Sequence, residues 1–457
     1  MSDLQARADR SRELITSGPL VRAIFSLAVP VVAGMLMEVA LTVTNFFWVG
    51  WLGPAAQDAV TSSLVMVWTV YSLTTIVSIG VTALVSRHIG AKEPDQAAHH
   101  AHQALWLASL LGLVVSVFGY ILSPHLLTLM KAGEATRDQA LPYLRIFFAS
   151  SLLIFLAEAV YAIFRASGDT RTPVKVGITV VLINLVLDPL LIFGWGPFPR
   201  LGVPGAAVAT AIALLTGAIL ILRLLFLGRT GYRVGLPLQG RPHFVSMLKI
   251  AGIGMPIACQ QLVFVLVYWF LIGFVHRFGE TAGAAMGIGN RMESFSYLTC
   301  CGFSIAASTL VGQNLGAGQP QRAARCAWGS VGLGFALTLI YSIVLVGVPG
   351  LIVGVFTDDP EVRHMAVDYL VILGLSQTGM AFEIILEGAF SGAGNTVPPM
   401  VVMLPGSVAR IPLAWYLAFH LNWGINGIWW TLTITTGIKA VLLAWWFSLG
   451  RWKQKQL

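Results

Sequence analysis

Long apolar runs alternate with short polar breaks marked by Gly and Pro from residue 23 to residue 448. A helix needs roughly 20 apolar residues to cross a bilayer. Runs of that size fall at 23–49, 59–85, 104–123, 141–164, 174–195 and 203–227, then at 247–275, 285–311, 328–350, 366–390, 399–420 and 424–448. They are too long for strands and lack the two-residue alternation of a membrane barrel. Gly and Pro inside them are tolerated where neighbouring helices re-satisfy the backbone. The pattern predicts an all-α polytopic membrane protein with twelve transmembrane helices.

The pattern is also duplicated. Leu84-Val85, Gly90-Ala91, Pro94 and Ala97-Ala98 return 226 positions later as Leu310-Val311, Gly316-Ala317, Pro320 and Ala323-Ala324. The same offset joins Pro30 to Pro256, Gly53 to Gly279 and Tyr143-Leu144 to Tyr369-Leu370, with no gap up to Pro173 and Pro399. Near the last helix pair the offset falls to 222, where Gly202 and Gly205 match Gly424 and Gly427. Two six-helix repeats follow: an N-lobe over 23–227 and a C-lobe over 247–448. A basic, Gly- and Pro-containing linker joins them at 228–246, and polar tails lie at 1–22 and 449–457. Duplication in so apolar a chain is a mark of secondary transporters, which place the substrate between repeats.

Charge then sets the topology. Charged residues are 11% and hydrophobic residues 56% of the 457, against about 25% charged in a soluble domain. The net charge of +8 sits mostly in segments on the side of the N-terminus, such as Arg7, Arg10, Arg12, Arg171, Arg229, Arg241, Arg322 and Lys453. The opposite loops hold only Lys131, Arg137, Arg200, Arg277 and Arg363. The positive-inside rule puts both termini in the cytoplasm, the even helix count per half makes the repeats parallel, and the net charge is topogenic rather than a nucleic-acid footprint. No cleavable leader is expected, because the first apolar run is full span length.

Ionisable residues at membrane depth are costly and mark functional sites. Asp188 is the leading one. Asn184, four residues earlier, shares its helical face, and the pair suits uptake and release of a proton or coordination of sodium. Glu38 precedes Asn45 by about two turns on nearly the same face. In the second repeat, Glu293 and the Glu383/Glu387 stripe could dock a cationic substrate, or pair internally with Arg410, Arg291 or Lys439. Gln261, Tyr71 and Trp68 join the candidate cavity lining, where aromatic faces suit flat cations. Pro30 removes a hydrogen bond from the first helix; a static kink and a hinge are equally open on the residues alone. His99, His100 and His102 read as a solvated turn, and the cysteines (Cys259, Cys300, Cys301, Cys326) match no metal or redox spacing. No metal site is expected.

The segment Leu310-Val311-Gly312-Gln313-Asn314-Leu315-Gly316-Ala317-Gly318 resembles the most recognisable stretch of the multidrug and toxic compound extrusion (MATE) transporters. Gly168 through Pro173, Asn184 through Pro189, Gly202 and Gly205-Ala206-Ala207 agree with it. The resemblance implies two lobes around a central cavity and export of organic cations in exchange for protons or sodium. It implies coupling at Asn184/Asp188 and bending at Pro30 linked to cation binding. Two departures stand out: Asn45 and Ser167 lie where many relatives carry acids, and Glu38 lies where other branches have its repeat mate acidic.

No G-x-x-x-x-G-K-[ST], H-E-x-x-H or G-x-S-x-G occurs, so neither ATP hydrolysis nor a familiar hydrolase chemistry is expected. The reading is a monomeric antiporter of small amphipathic cations, surrounded by membrane lipid, without cofactor beyond the coupling ion (proton or sodium) and not an enzyme. The alternatives are a lipid-linked oligosaccharide flippase, which should line its cavity with several bases, and a polytopic membrane transferase.

Overall fold

Every regular element in the computed structural model is a helix among the described residues, which are 2–129, 133–232, 234 and 240–457. The side chains of 2–4, 7, 38, 40, 41 and 135 are not among them, so Lys131 and the side chains of Arg7 and Glu38 lie outside the description. A polar helix α1 (Ser2–Thr16) occupies most of the expected N-terminal tail. The first repeat then runs α2 (Leu20–Gly50), α3 (Pro54–Gly90), α4 (Pro94–Leu129), α5 (Glu134–Ala149), α6 (Ser151–Ala166), α7 (Arg171–Phe193) and α8 (Val203–Phe226). The second runs α9 (Phe244–His276), α10 (Glu280–Gly316), α11 (Pro320–Gly347), α12 (Pro349–Gly354), α13 (Pro360–Gly392), α14 (Val397–Val408), α15 (Arg410–Trp415), a π-turn (Tyr416–His420) and α16 (Ile425–Ser448).

Eleven described helical segments, the last but one running from α14 through the π-turn, are long and apolar enough to cross a membrane. The twelfth span, expected as one helix over 141–164, is the pair α5–α6, bent by 47°. Ser150 sits at the break and turns its hydroxyl back onto the Ile146 carbonyl at 2.9 Å, a bond that bends helices. The span expected at 399–420 is likewise divided. Pro412 has no N–H to offer the carbonyl of Val408, and α14 ends at that residue.

The duplication extends to backbone conformation. Gly53 and Gly279 precede α3 and α10 with φ/ψ of 102°/175° and 99°/176°, and both helices are 37 residues long. Gly202 and Gly424 precede α8 and α16 at 64°/−138° and 59°/−145°, conformations that a side chain would disfavour. These pairs carry the offsets of 226 and 222 read from the sequence.

Two compact units emerge. Unit 1 comprises residues 1–14 and 33–255; unit 2 comprises 15–32 and 256–457. The division cuts each opening helix just beside its proline, so the first half of α2 counts with unit 2 and the first half of α9 with unit 1. Glycine allows the close crossing that results. In unit 1 a Cβ on Gly254 would run into the Ile76 carbonyl, and one on Gly80 into that of Ile250. In unit 2 a Cβ on Gly302 would meet Val32 and lie 3.3 Å from the Ala28 carbonyl oxygen. Ala28 and Gly302 are the repeat mates of Gly254 and Ile76, so the glycine has changed partners across the duplication while the crossing persists.

Within unit 1, α3 packs on α4, α5 and α6, and α7 on α8; within unit 2, α10 packs on α11 and α13, and α13 on α16. Unit 2 holds a buried apolar cluster in which Tyr369 stacks on Trp429 with ring centroids 4.0 Å apart. Polar bonds tie the segments outside the spans. Ser11 donates to the Gly168 carbonyl in unit 1. In unit 2 Arg322 grips the carbonyls of Ile15 and Gly18, assisted by Asn314 of the signature segment. The loop after α8 buries Tyr232 against Ser167, 3.1 Å between hydroxyls, and burial pushes the Tyr232 hydroxyl well up from its ordinary value.

The histidine turn is more structured than expected. His100 is buried and stacks on His88, with centroids 5.1 Å apart. His99 and His243 both reach the Ser246 hydroxyl, and Gln103 accepts from the His243 N–H while donating to the Arg241 carbonyl. This network clasps the end of the linker to α4. Among the described residues no group of histidine, cysteine and acidic side chains could hold a metal ion.

Candidate functional site

Unit 1 places its carboxylate in a dry, apolar frame. Asn184 and Asp188 lie one turn apart on α7, fully withdrawn from solvent at 1% and 0% exposure. The Asn184 amide donates from Nδ2 to Asp188 Oδ1 at 3.2 Å and to the Thr210 hydroxyl of α8 at 3.2 Å. That leaves Asn184 Oδ1 and Asp188 Oδ2 buried without a hydrogen-bond partner among the described residues. Such orphaned oxygens are costly in a low-dielectric interior, and a proton or a small hard cation satisfies them.

The second half of α2 closes the same region. Val49 of α2 and Ile192 of α7 share one apolar cluster with Val60, Val203 and Ala206, and Trp48 stands edge-on to Phe193. Asn45 and Asp188 each lie four residues, one turn, before those cluster members. Asn45 Oδ1 is another buried oxygen of unit 1 with no hydrogen-bond partner among the described residues. Glu38, the acid named with Asn45, has its side chain outside the described residues. Pro30 is half-buried within α2, two residues before the division between units. Trp68 and Tyr71 are well exposed on α3, one turn apart.

Unit 2 gathers the remaining acids around α13. Glu383 Oε1 receives Lys439 Nζ of α16 at 2.6 Å, so the internal pairing weighed from the sequence is realised for this glutamate. Glu387 Oε2 accepts from Gln260 Nε2 of α9 at 3.0 Å. Its neighbour Gln261, the glutamine named for the cavity, is half-buried and makes no such bond to an acid among the described residues. Glu293 of α10 is half-buried and has neither an ion-pair nor a side-chain hydrogen-bond partner among the described residues. Arg410 of α15 spends its Nε and one terminal nitrogen on the hydroxyls of Thr435 and Thr436, at 2.9 and 3.1 Å, and lies 5.8 Å from the Phe264 ring centroid.

Sequence reasoning missed Gln260, Thr210, Thr435 and Thr436. Gln260 and Gln261 are adjacent, and an apolar helix offers no periodic stripe to choose between them. The threonines carry no sequence signal until their partners are known.

Two homologous helical units, each enclosing polar groups at membrane depth, define a duplicated multi-pass membrane carrier. A sequence model of the MatE family matches residues 30–190 and 256–416, the second stretch starting 226 positions after the first. The chain therefore belongs to the MATE family of membrane transporters and is not an enzyme. It is 30% identical to an FAD transporter of Shewanella oneidensis, over 95% of this chain and 96% of that one. It is 27% identical to a probable multidrug resistance protein NorM of Thermotoga maritima, over 95% and 93%. Its fold matches a MOP superfamily transporter from Pyrococcus furiosus with a TM-score of 0.90 at 20% identity, covering 98% of this chain and 99% of that one.

Proposed function

We propose that the protein is a secondary active exporter of flat, amphipathic organic cations, driven by exchange for protons, or for sodium as the second choice of ion. It works as a monomer in a bacterial inner membrane with both termini in the cytoplasm. The observation that carries the reading is the Asn184–Asp188 pair: a carboxylate at membrane depth with one oxygen bonded and one bare. A group in that state changes its energy greatly when a cation arrives or leaves, which is what coupling requires. In the other unit, Glu293 and Glu387 lack a basic partner within ion-pair distance among the described residues and supply negative charge for a cationic cargo.

Relatives named as multidrug resistance proteins support this class of cargo. The Shewanella oneidensis relative is named for FAD, whose phosphates are anionic. The two free acids of unit 2 speak against a cargo that is anionic only. A lipid-linked pyrophosphate would call for several free bases, whereas Lys439 is already taken by Glu383.

The test is accumulation of a fluorescent cationic dye by proteoliposomes under an imposed pH gradient without sodium. Gradient-dependent accumulation supports proton exchange. Accumulation only with a sodium gradient moves the coupling to sodium, and none with either ion overturns the exporter reading.

A further inference from the structure

Unit 1 carries a base on α5 that no acid neutralises. Arg145 is half-buried and lies four residues inside the apolar run that opens at 141. Among the described residues no carboxylate comes within the 4.0 Å of an ion pair. Its Nε is buried and has no hydrogen-bond partner among those residues. The guanidinium carbon stands 5.2 Å over the Tyr120 ring of α4, a contact that orients the charge without cancelling it. Withdrawing a charge from water without an opposite partner is costly, and an arriving anion removes that cost.

The seam between α4 and α5 is tight below this point and open beside it. Ser116 donates to the Ala149 carbonyl at 3.3 Å, and a Cβ on Gly119 would strike the Phe148 ring. One turn further out, Tyr120 meets Arg145. Val117 and Leu113 continue the Tyr120 face of α4 at i−3 and i−7, and all three side chains are exposed. Tyr120 lies three residues inside the outer end of the run 104–123, about 4.5 Å along the helix. With the N-terminus in the cytoplasm, this level is the outer interface, where Tyr rings sit among headgroups. The charge thus stands at headgroup level, and the apolar stripe leads from it toward the middle of the bilayer.

We infer that the α4–α5 seam is a docking site for one anionic phospholipid of the outer leaflet. Arg145 takes the phosphodiester, and the acyl chains lie over Val117 and Leu113. Charge complementarity names the occupant, because a guanidinium fork matches phosphate oxygens. A net-negative headgroup is favoured over a zwitterionic one, whose ammonium would stand beside a base that already lacks an acid. The lipid is a resident partner of unit 1, and its binding does not depend on which cargo or ion is moved.

The test uses the full-length protein purified in detergent, with phosphatidylglycerol or phosphatidylcholine of matched chains added and binding read by native mass spectrometry. Wild type should bind the first phosphatidylglycerol about fivefold more tightly than phosphatidylcholine. That is the scale of a charge-assisted hydrogen bond, reduced because the guanidinium is only half-buried. Arg145→Gln should bring the two lipids within about twofold, and Arg145→Lys should keep part of the preference. Arg277→Gln removes another outer base that lies over a ring, Phe274 at 5.7 Å, and should leave the preference as in wild type. A preference that survives Arg145→Gln, or that falls equally with Arg277→Gln, overturns the site. Glycerophosphoglycerol, the same headgroup without chains, should not displace the lipid; displacement would mean a soluble-anion site and overturn the lipid assignment. If Arg145→Gln fails to fold, wild type decides alone: equal affinity for the two lipids overturns the proposal. Failure of dye accumulation in wild-type proteoliposomes counts against the exporter reading, and lipid binding still decides the docking site.

Discussion

Lys439 Nζ lies 2.6 Å from Glu383 Oε1, with the two side chains 2% and 11% exposed. A pair so withdrawn from water is held together because each charge has nowhere else to go. Removing one partner leaves the other uncompensated, which costs about 3–5 kcal/mol for a buried pair. Lys439→Met should therefore lower the melting temperature of the purified protein sharply. The double variant Lys439→Met/Glu383→Gln should recover most of the loss. A double variant no better than the single one would show that the charges act independently.

The crossing between the first half of α9 and α3 depends on Gly254, where a Cβ would strike the Ile76 carbonyl. Gly254→Ala should destabilise by about 1–3 kcal/mol, the range for overpacking a well-packed interior. Gly287, with open space where its Cβ would stand, is the internal control: Gly287→Ala should leave the melting temperature unchanged. Equal effects at the two positions would contradict the close approach.

Gln260 and Gln261 are neighbours with different fates. Gln260→Leu removes a bond to the Glu387 carboxylate, worth about 1.5–3 kcal/mol for a charged acceptor. Gln261→Leu should stay within about 0.5 kcal/mol. Thermal denaturation of the two variants, run side by side, separates the assignments, and a larger effect at Gln261 would reverse them.

These comparisons mark what the residues disclosed. The duplication was legible because glycines and prolines punctuate both repeats at one offset, and Gly53/Gly279 and Gly202/Gly424 share backbone conformations accordingly. The division of α2 and α9 beside Pro30 and Pro256 was not legible, since an apolar helix does not state which neighbour each half will meet. That Asn184 and Asp188 lie on one face was legible from their spacing, because i and i+4 align, while their reading as a coupling pair came with the family resemblance. The Thr210 contact and the Arg410–threonine bonds depend on packing between helices. The clasp around His99, His100 and His243 escaped notice because its glutamine and serine partners lie on a segment distant in sequence.

That clasp is itself testable. Gln103 holds the backbone of both Arg241 and His243, so Gln103→Ala should free the end of the linker. Limited chymotrypsin digestion should then cut after the exposed Phe244 faster than in wild type, with the helices otherwise intact. An unchanged cleavage rate would mean that the remaining bonds to Ser246 suffice.

The central claim is that the bare oxygen of Asp188 is where the driving ion acts, and Asp188→Asn tests it most directly in proteoliposomes. The amide keeps the shape and cannot take up a proton. Dye accumulation driven by an imposed ion gradient should be abolished, while gradient-free exchange of labelled for unlabelled dye should continue. Accumulation at the wild-type rate in Asp188→Asn would contradict the account.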